Sequence, residues 1–166
     1  AGQLEAMTPA PHPKHQLVLQ QLMDLLKDTC NTDYSVFLAP VDVILSDIEV
    51  RQPDLIMLHR SRLSLLTNRG IEGPPDLVAE VLSPSTIKRD REDKRRSYSK
   101  YGVPEYWIID MNNGHLEQYV FQGDENKYDY ELAEVYTEDD PVYTSKIPCV
   151  LFSMNDIMES LPELPN

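Results

Sequence analysis

The segments PPDLVAEVLSPST (74–86) and GVPEYWIID (102–110), with a charged stretch between them, determine the fold of this 166-residue chain. Each contains a short apolar run, which is typical of a buried strand. Ser-Pro-Ser-Thr at the end of the first segment is a helix-start signal, because hydroxyl oxygens accept hydrogen bonds from free N–H groups. The Gly and Pro of the second segment end that helix at about Lys100. The pattern therefore predicts a strand–helix–strand unit over Asp76–Asp110, with a right-handed parallel crossover.

Further helices and strands surround this unit. Apolar residues at a spacing near 3.6 predict an N-terminal helix at about Lys14–Asp28. The strands predicted elsewhere are Ser35–Leu45, interrupted at Pro40, then Pro53–Leu58, His115–Phe121 and Lys127–Val135, and a short helix closes the chain within Phe152–Leu161. This order predicts a mixed α/β fold, with a central mixed β-sheet flanked by helices, in one domain covering residues 1–166.

The charge of the chain is segregated along the sequence. The chain is 41% hydrophobic, 26% charged and has a net charge of −13, which taken alone argues against a nucleic-acid partner. Residues 51–100, however, hold 11 of the 15 Lys and Arg and 7 of the 28 Asp and Glu, so they carry +4 and the remainder carries −17. An acidic ligand should therefore contact the middle third, unless these charges are only the solvated face of a helix.

The N-terminus and the cysteine usage favour a cytoplasmic protein without a membrane association. Residues 1–15 lack the basic-then-apolar layout of a secretory signal, and no apolar stretch approaches the ~20 residues that span a bilayer. Cys30 and Cys149 are too few and too far apart to indicate a disulfide framework or a zinc site. Cys149 lies in an apolar run and is expected to be a small buried hydrophobic residue. A reducing compartment is therefore expected.

Two carboxylates interrupt the hydrophobic pattern. Asp54 opens one apolar run, and Glu80 lies in the middle of another. An ionised carboxylate on a buried strand is unfavourable unless a cationic side chain, a raised pKa or a bound metal compensates for it. For Asp54 the alternative is a strand-start residue that binds backbone N–H groups. For Glu80 the alternative is a buried ion pair with an arginine.

The predicted helix offers a cationic partner for Glu80. Asp90, Lys94 and Tyr98 follow at i, i+4 and i+8, so they form one polar line along the helix. Since a short turn joins the strand to the helix, Lys94 is expected to reach back towards Glu80; the alternative is a solvent-facing lysine. Two carboxylates on adjacent strands suit Mg²⁺ or Mn²⁺, and a lysine beside them suits phosphodiester hydrolysis. The basic helix over Lys88–Lys100 would contact the phosphate backbone.

These segments resemble the Uma-type family of restriction-endonuclease-like proteins, within the PD-(D/E)XK nuclease superfamily. Besides the segments already quoted and the helix residues, the resemblance extends to GQLEAMTPAPHPKHQ (2–16), APVDVIL (39–45) and QPDLIML (52–58). It implies a restriction-endonuclease-like sheet and a magnesium-dependent endonuclease acting on DNA, which we expect to be a homodimer. It also implies that this sequence starts partway into the family pattern, because the segment that usually precedes the first glycine, here Gly2, is absent.

The resemblance also implies roles for individual residues. Asp54 and Glu80 would bind Mg²⁺ or Mn²⁺, with the backbone carbonyl of Val81 as a further ligand. In the superfamily the catalytic lysine lies two residues after the second acid, where this chain has Leu82. In Uma-type proteins it lies on the following helix, where Lys94 matches. Around these positions four further residues fit the family pattern: His15, Ser83, Asp90 and Tyr98.

Two other functions remain open from the sequence. One is a non-catalytic nuclease-fold module that binds nucleic acid or a protein partner. Residues 124–140 support it, because they hold 8 acidic residues and one lysine and could repel loosely bound DNA. The other is hydrolysis of a small phosphorylated substrate, although a basic helix suits an extended backbone better. No DNA-reading motif indicates a sequence preference.

Overall fold

The computed structural model describes residues 12–83, 88–123 and 130–165, and the side chains of Arg89 and Asp90 lie outside this description. The helices are Pro13–Cys30 (α1), Lys88–Lys100 (α2) and Met154–Met158 (α3), with a 3₁₀ helix at Arg60–Leu65. The strands are Tyr34–Leu38 (β1), Val43–Ser46 (β2), Glu49–Arg51 (β3), Leu55–His59 (β4), Leu66–Thr67 (β5), Gly70–Ile71 (β6), Leu77–Val81 (β7), Glu105–Asp110 (β8), His115–Phe121 (β9) and Tyr130–Thr137 (β10). Of the described helices, none is long and apolar enough to cross a bilayer.

Six strands form the central mixed sheet, in the order β1-β4-β7-β8-β9-β10. β7 and β8 pair in parallel, with Glu80 opposite Ile108, and the other neighbouring strands pair antiparallel. α2 lies between the two parallel strands in the sequence, as a parallel connection requires. The predicted mixed α/β fold with a central mixed sheet is confirmed. Of the strand predicted at 127–135, residues 127–129 lie outside the described residues.

Alternation along β7 divides the hydrophobic core between the two faces of this sheet. Leu77, Ala79 and Val81 belong to a cluster that α1 covers, whereas Val78 packs with Tyr98 of α2 on the other face. Pro13 begins α1, where its missing N–H costs nothing. Full burial of a large apolar side chain stabilises the fold by about 1.5–3 kcal/mol. The fully buried residues of α1 are Val18, Leu22 and Leu26.

A smaller four-stranded sheet, in the order β3-β2-β6-β5, supports α2. Ser97 of α2 donates a hydrogen bond to Glu49 Oε1 on β3, at 2.5 Å. Arg51 binds the same carboxylate at 3.0 Å and contacts the Ser97 hydroxyl at 3.2 Å. Tyr101, just after α2, donates to Ser46 Oγ at 3.3 Å. These contacts fix the position of α2, and therefore of Lys94, relative to the strands.

The cysteine prediction is wrong. Cys30, the last residue of α1, forms a disulfide with Cys149, with their Cα atoms 5.2 Å apart. Cys149 is half-buried and bonded, and not a buried thiol, because the fold brings together two residues separated by 119 positions in the sequence. The bond removes the argument from cysteine usage for a reducing compartment. The expected cytoplasmic location stays a prediction.

Candidate functional site

Asp54 lies directly before β4, beside the end of β7. The two strands are antiparallel with Leu55 opposite Ala79, so Asp54 comes level with Glu80. Asp54 Oδ2 accepts a hydrogen bond from the backbone N–H of Val81 at 2.8 Å. The alternative of a strand-start residue that binds a backbone N–H therefore describes part of what Asp54 does. The same bond holds its carboxylate between the two strands.

Glu80 is the buried acid of the site, with 6% of its surface exposed. Tyr98 donates a hydrogen bond to Oε1 at 3.1 Å, and the Nζ atom of Lys94 lies 3.4 Å from Oε2. The structure thus places Lys94 against Glu80, as the strand and helix spacing indicates. The cationic partner of Glu80 among the described residues is this lysine, and not an arginine. Lys94 remains 37% exposed, so a substrate can reach its ammonium group.

The pKa of Glu80 reflects its burial and the nearby charge of Asp54. Burial raises the pKa of Glu80 to about 7, and the charge of Asp54 adds to the rise, while Lys94 and Tyr98 oppose it. Burial and the charge of Asp54 therefore disfavour the ionised form of Glu80, and Lys94 and Tyr98 offset this only in part. Such a pair of acids favours a cation that takes oxygen ligands.

His15, in the first turn of α1, contacts the same group from the α1 side. Its Nε2 atom lies 3.3 Å from Asp54 Oδ2, and it lines a pocket together with Val81, whose backbone also helps to raise the pKa of His15. The hydrogen bond with Asp54 raises the pKa of His15, against the desolvation that lowers it. His15 Nδ1 is buried and has no hydrogen-bond partner in the described part of the chain. His15 therefore lies against two of the three groups expected to bind metal.

The oxygen atoms present suit Mg²⁺ or Mn²⁺. The N–H and C=O of one strand residue point to the same side, so the Val81 carbonyl faces Asp54 beyond the last paired residues of β4 and β7. No group of three or more His, Cys, Asp or Glu side chains in the described ranges is arranged to hold a metal ion. A cation bound here would therefore rely on Asp54, Glu80, the Val81 carbonyl and water, which are the hard ligands these ions prefer.

The remaining sequence-predicted residues are placed less centrally. Ser83 follows β7 and lines a pocket of about 210 Å³ together with His15, Val81 and Asn112. Asp90 lies on α2, but its side chain is outside the described residues, as is the segment 84–87 before the helix. The structure therefore brings together His15, Asp54, Glu80, Val81, Lys94 and Tyr98.

A second polar group, which the sequence did not single out, extends the site across the sheet. Glu80, Ile108 and Glu117 are register neighbours on β7, β8 and β9, so they form one row on the α2 face. Glu117 accepts a hydrogen bond from Tyr119 at 2.7 Å and lies 3.7 Å from Nη2 of Arg91. Alternation within β9 places Glu117 on one face, but only the strand register aligns it with Glu80.

Comparisons with known proteins agree with this architecture. The Uma2 family, described as "Putative restriction endonuclease", matches residues 1–148. The fold is similar to a crystal structure from Anabaena variabilis of a "putative nuclease belonging to DUF820", with 21% identity, 91% of this chain and 83% of that chain covered, and a TM-score of 0.72. The comparison with curated proteins gave no significant match. Because the family match spans most of the chain and confirms the resemblance of its motifs, this protein belongs to the Uma2 family.

Proposed function

We propose that the protein is a Mg²⁺- or Mn²⁺-dependent endonuclease that hydrolyses phosphodiester bonds of DNA. The family and the nuclease fold of the structural neighbour support a nuclease-like function. The observation that carries the finer proposal is the convergence of Asp54, Glu80 and Lys94. These side chains come from three separate elements and meet at one end of the β4–β7 pair.

The two carboxylates and the Val81 carbonyl would hold the cation. A bound Mg²⁺ or Mn²⁺ would supply Lewis-acid stabilisation of the negative charge that develops on the phosphorus-bound oxygens. Two features of these residues suit such a cation. The ligands are all oxygen atoms, and a bound cation would relieve the repulsion between Asp54 and Glu80, which contributes to the raised pKa of Glu80. His15 and the N–H of Val81 orient Asp54, since both bind its Oδ2 atom.

Lys94 is the residue placed to act on the reacting groups. In the hydrolysis, the oxygen of a water molecule forms a bond to phosphorus and releases a proton to solvent. The bond from phosphorus to one sugar oxygen breaks, and that oxygen takes up a proton from solvent. The ammonium group of Lys94 can orient the attacking water or stabilise charge on a phosphate oxygen. Glu80 holds this group at 3.4 Å, and Tyr98 in turn holds Glu80.

Plasmid cleavage tests this proposal. Purified protein is incubated with supercoiled plasmid at low salt, with Mg²⁺ or with Mn²⁺. We expect metal-dependent nicking that falls by about 100-fold or more in Asp54→Asn, Glu80→Gln and Lys94→Met. Asp93→Asn is the matched control, because Asp93 is an exposed acid of α2 outside the site. Absence of nicking by the folded wild-type protein with either metal would overturn the proposal.

A second candidate is the non-catalytic nuclease-fold module. The charge of −17 outside residues 51–100 favours it, because such a surface disfavours DNA over most of the molecule. Gel-shift measurements distinguish the two: binding without cleavage supports the module, and neither binding nor cleavage supports a protein partner. The homodimer is part of the endonuclease proposal, and light scattering should give twice the chain mass of 19.1 kDa.

A further inference from the structure

A basic pocket lies beside the candidate site, on the same face of the sheet. It has a volume of about 350 Å³ and lies between α2 and strands β8 and β9. Its lining residues are Lys88, Arg91, Glu92, Arg95, Ile108 and Tyr119. Because Ile108 is the register neighbour of Glu80, this basic pocket begins one strand away from the buried acid.

The charges of the basic pocket favour an anion. Three of its four charged residues are cationic, so Glu92 reduces the net charge of the lining only to +2. Arg95 lies over the ring of Tyr119, with its guanidinium carbon 5.6 Å from the ring centre. This contact holds one guanidinium group at the wall of the pocket, where an anion can reach it.

Arg91 has hydrogen-bonding capacity that the described residues do not use. Its Nη2 atom is 3.7 Å from Glu117, which is longer than a direct hydrogen bond. Its Nε atom is buried and has no hydrogen-bond partner among the described residues. A buried N–H without an acceptor is unfavourable, and an anionic oxygen in the pocket would satisfy it. The side chain is 34% exposed, so such a ligand can enter.

Arg91 and Glu80 both lie near enough to the buried Tyr106 to affect its ionisation. Burial is the main cause that raises the pKa of Tyr106, Glu80 adds to the rise, and Arg91 opposes it. The two charges therefore act on the same side chain, which agrees with the strand register that puts the pocket residue Ile108 beside Glu80. A small phosphate ester could occupy either the basic pocket or the candidate metal site. Consecutive phosphates of one nucleic acid strand can contact both.

We propose that the basic pocket binds a phosphate group, which in the proposed function, on which this inference rests, is the phosphodiester next to the one that is cleaved. Guanidinium groups suit this ligand, because their planar N–H pairs match phosphate oxygens. The site would position a nucleic acid strand so that the neighbouring phosphodiester lies between the two carboxylates and Lys94. This role is one of binding and orientation, separate from the chemistry at Glu80.

Binding measurements at several salt concentrations test the inference. Fluorescence anisotropy follows a labelled DNA duplex in EDTA, so that cleavage does not interfere. We expect Arg91→Gln to weaken DNA binding about tenfold. The negative slope of log affinity against log salt concentration should become shallower by about 0.9, because one phosphate contact is lost. Arg96→Gln is the control, because Arg96 is exposed on α2 and does not line the pocket. We expect the control to change the affinity less than about twofold.

Three outcomes would overturn the inference. Equal losses in Arg91→Gln and Arg96→Gln would show that binding depends on diffuse charge, and no loss in either would show that the pocket is not used. Calorimetry with inorganic phosphate gives the third outcome: lost phosphate binding in Arg91→Gln with unchanged DNA affinity would identify a small phosphate ligand.

A different result would contradict the proposed function alone. If the wild type binds DNA through Arg91 but does not nick it, only the nuclease proposal is contradicted.

Discussion

Tyr98 donates a hydrogen bond of 3.1 Å to Glu80 Oε1, while Lys94, one helical turn earlier, lies 3.4 Å from Oε2 of the same carboxylate. Both residues belong to α2, so the helix contacts both oxygens of the buried acid. Ser97 attaches the same helix to the smaller sheet through Glu49. The arrangement of the candidate site therefore depends on the docking of α2 against both sheets.

Tyr98→Phe removes one of these contacts without changing the shape of the core. We expect the free energy of unfolding to fall by about 1 kcal/mol, because a buried hydrogen bond to a carboxylate is lost. We expect nicking to slow about tenfold while DNA affinity stays unchanged, since Tyr98 positions Glu80 and does not contact DNA. Urea unfolding and plasmid nicking measure the two effects. Tyr143→Phe is the control, because Tyr143 is 63% exposed and lies outside the site, and an equal loss of nicking there would contradict a specific role for Tyr98.

Lys94→Met separates chemistry from binding. We expect the variant to keep a DNA affinity within about threefold of the wild type, because one half-exposed charge is removed from a basic helix. Nicking should be lost, because the ammonium group beside Glu80 is absent. Anisotropy and plasmid nicking give the two readouts. Lys100→Met removes an exposed charge near the end of the same helix, and a comparable loss of nicking in that variant would argue against a special role for Lys94.

Glu105 is a second buried acid, on the α1 face and away from the site. It is 1% exposed and accepts hydrogen bonds from Trp107 at 2.9 Å, from Gln118 at 3.4 Å and from Thr144. Burial raises its pKa above the ordinary value of 4.5, although these hydrogen bonds and the charge of Lys146 oppose the rise. The neutral acid is therefore the form that the fold favours.

This shift predicts how the stability of the protein depends on pH. Since the pKa of Glu105 is higher in the folded state, its contribution to stability is present below pH 4.5 and is lost as the pH rises through the folded value. We expect the free energy of unfolding to decline less between pH 4.5 and pH 7 in Glu105→Gln than in the wild type. Tyr34 and Tyr136, whose pKa values are also raised, stay neutral over this range. Parallel curves for wild type and variant in urea titrations would contradict this, and Glu131→Gln is the exposed control.

The disulfide predicts sensitivity to reductant. It links the end of α1 to the segment before α3, so reduction should lower the free energy of unfolding by about 2–4 kcal/mol. Urea unfolding with and without a phosphine reductant measures this difference. The double variant Cys30→Ser/Cys149→Ser should not respond to reductant. Two titratable thiols per chain in protein purified without reductant would contradict the bond.

Local patterns were sufficient to predict the centre of the site. Alternation along β7 and the i, i+4 spacing on α2 placed Lys94 against Glu80, because a short connection joins the two elements. The apolar spacing near 3.6 likewise predicted α1 to within two residues at each end.

The remaining features depend on long-range contacts. Strands β5 and β6 have two residues each, too few for a periodic pattern, and Val43 pairs with Ile71 far along the chain. The row that aligns Glu117 with Glu80 depends on the register of three strands. The disulfide depends on proximity in the fold. None of these relationships leaves a local signal in the sequence.

Anomalous diffraction from a crystal soaked in Mn²⁺ tests the central claim most directly, because it locates the cation. We predict one peak between the carboxylates of Asp54 and Glu80, next to the Val81 carbonyl, that disappears in Asp54→Asn. A saturating soak that leaves no peak between these two acids, or that places the ion only elsewhere on the protein, would contradict it.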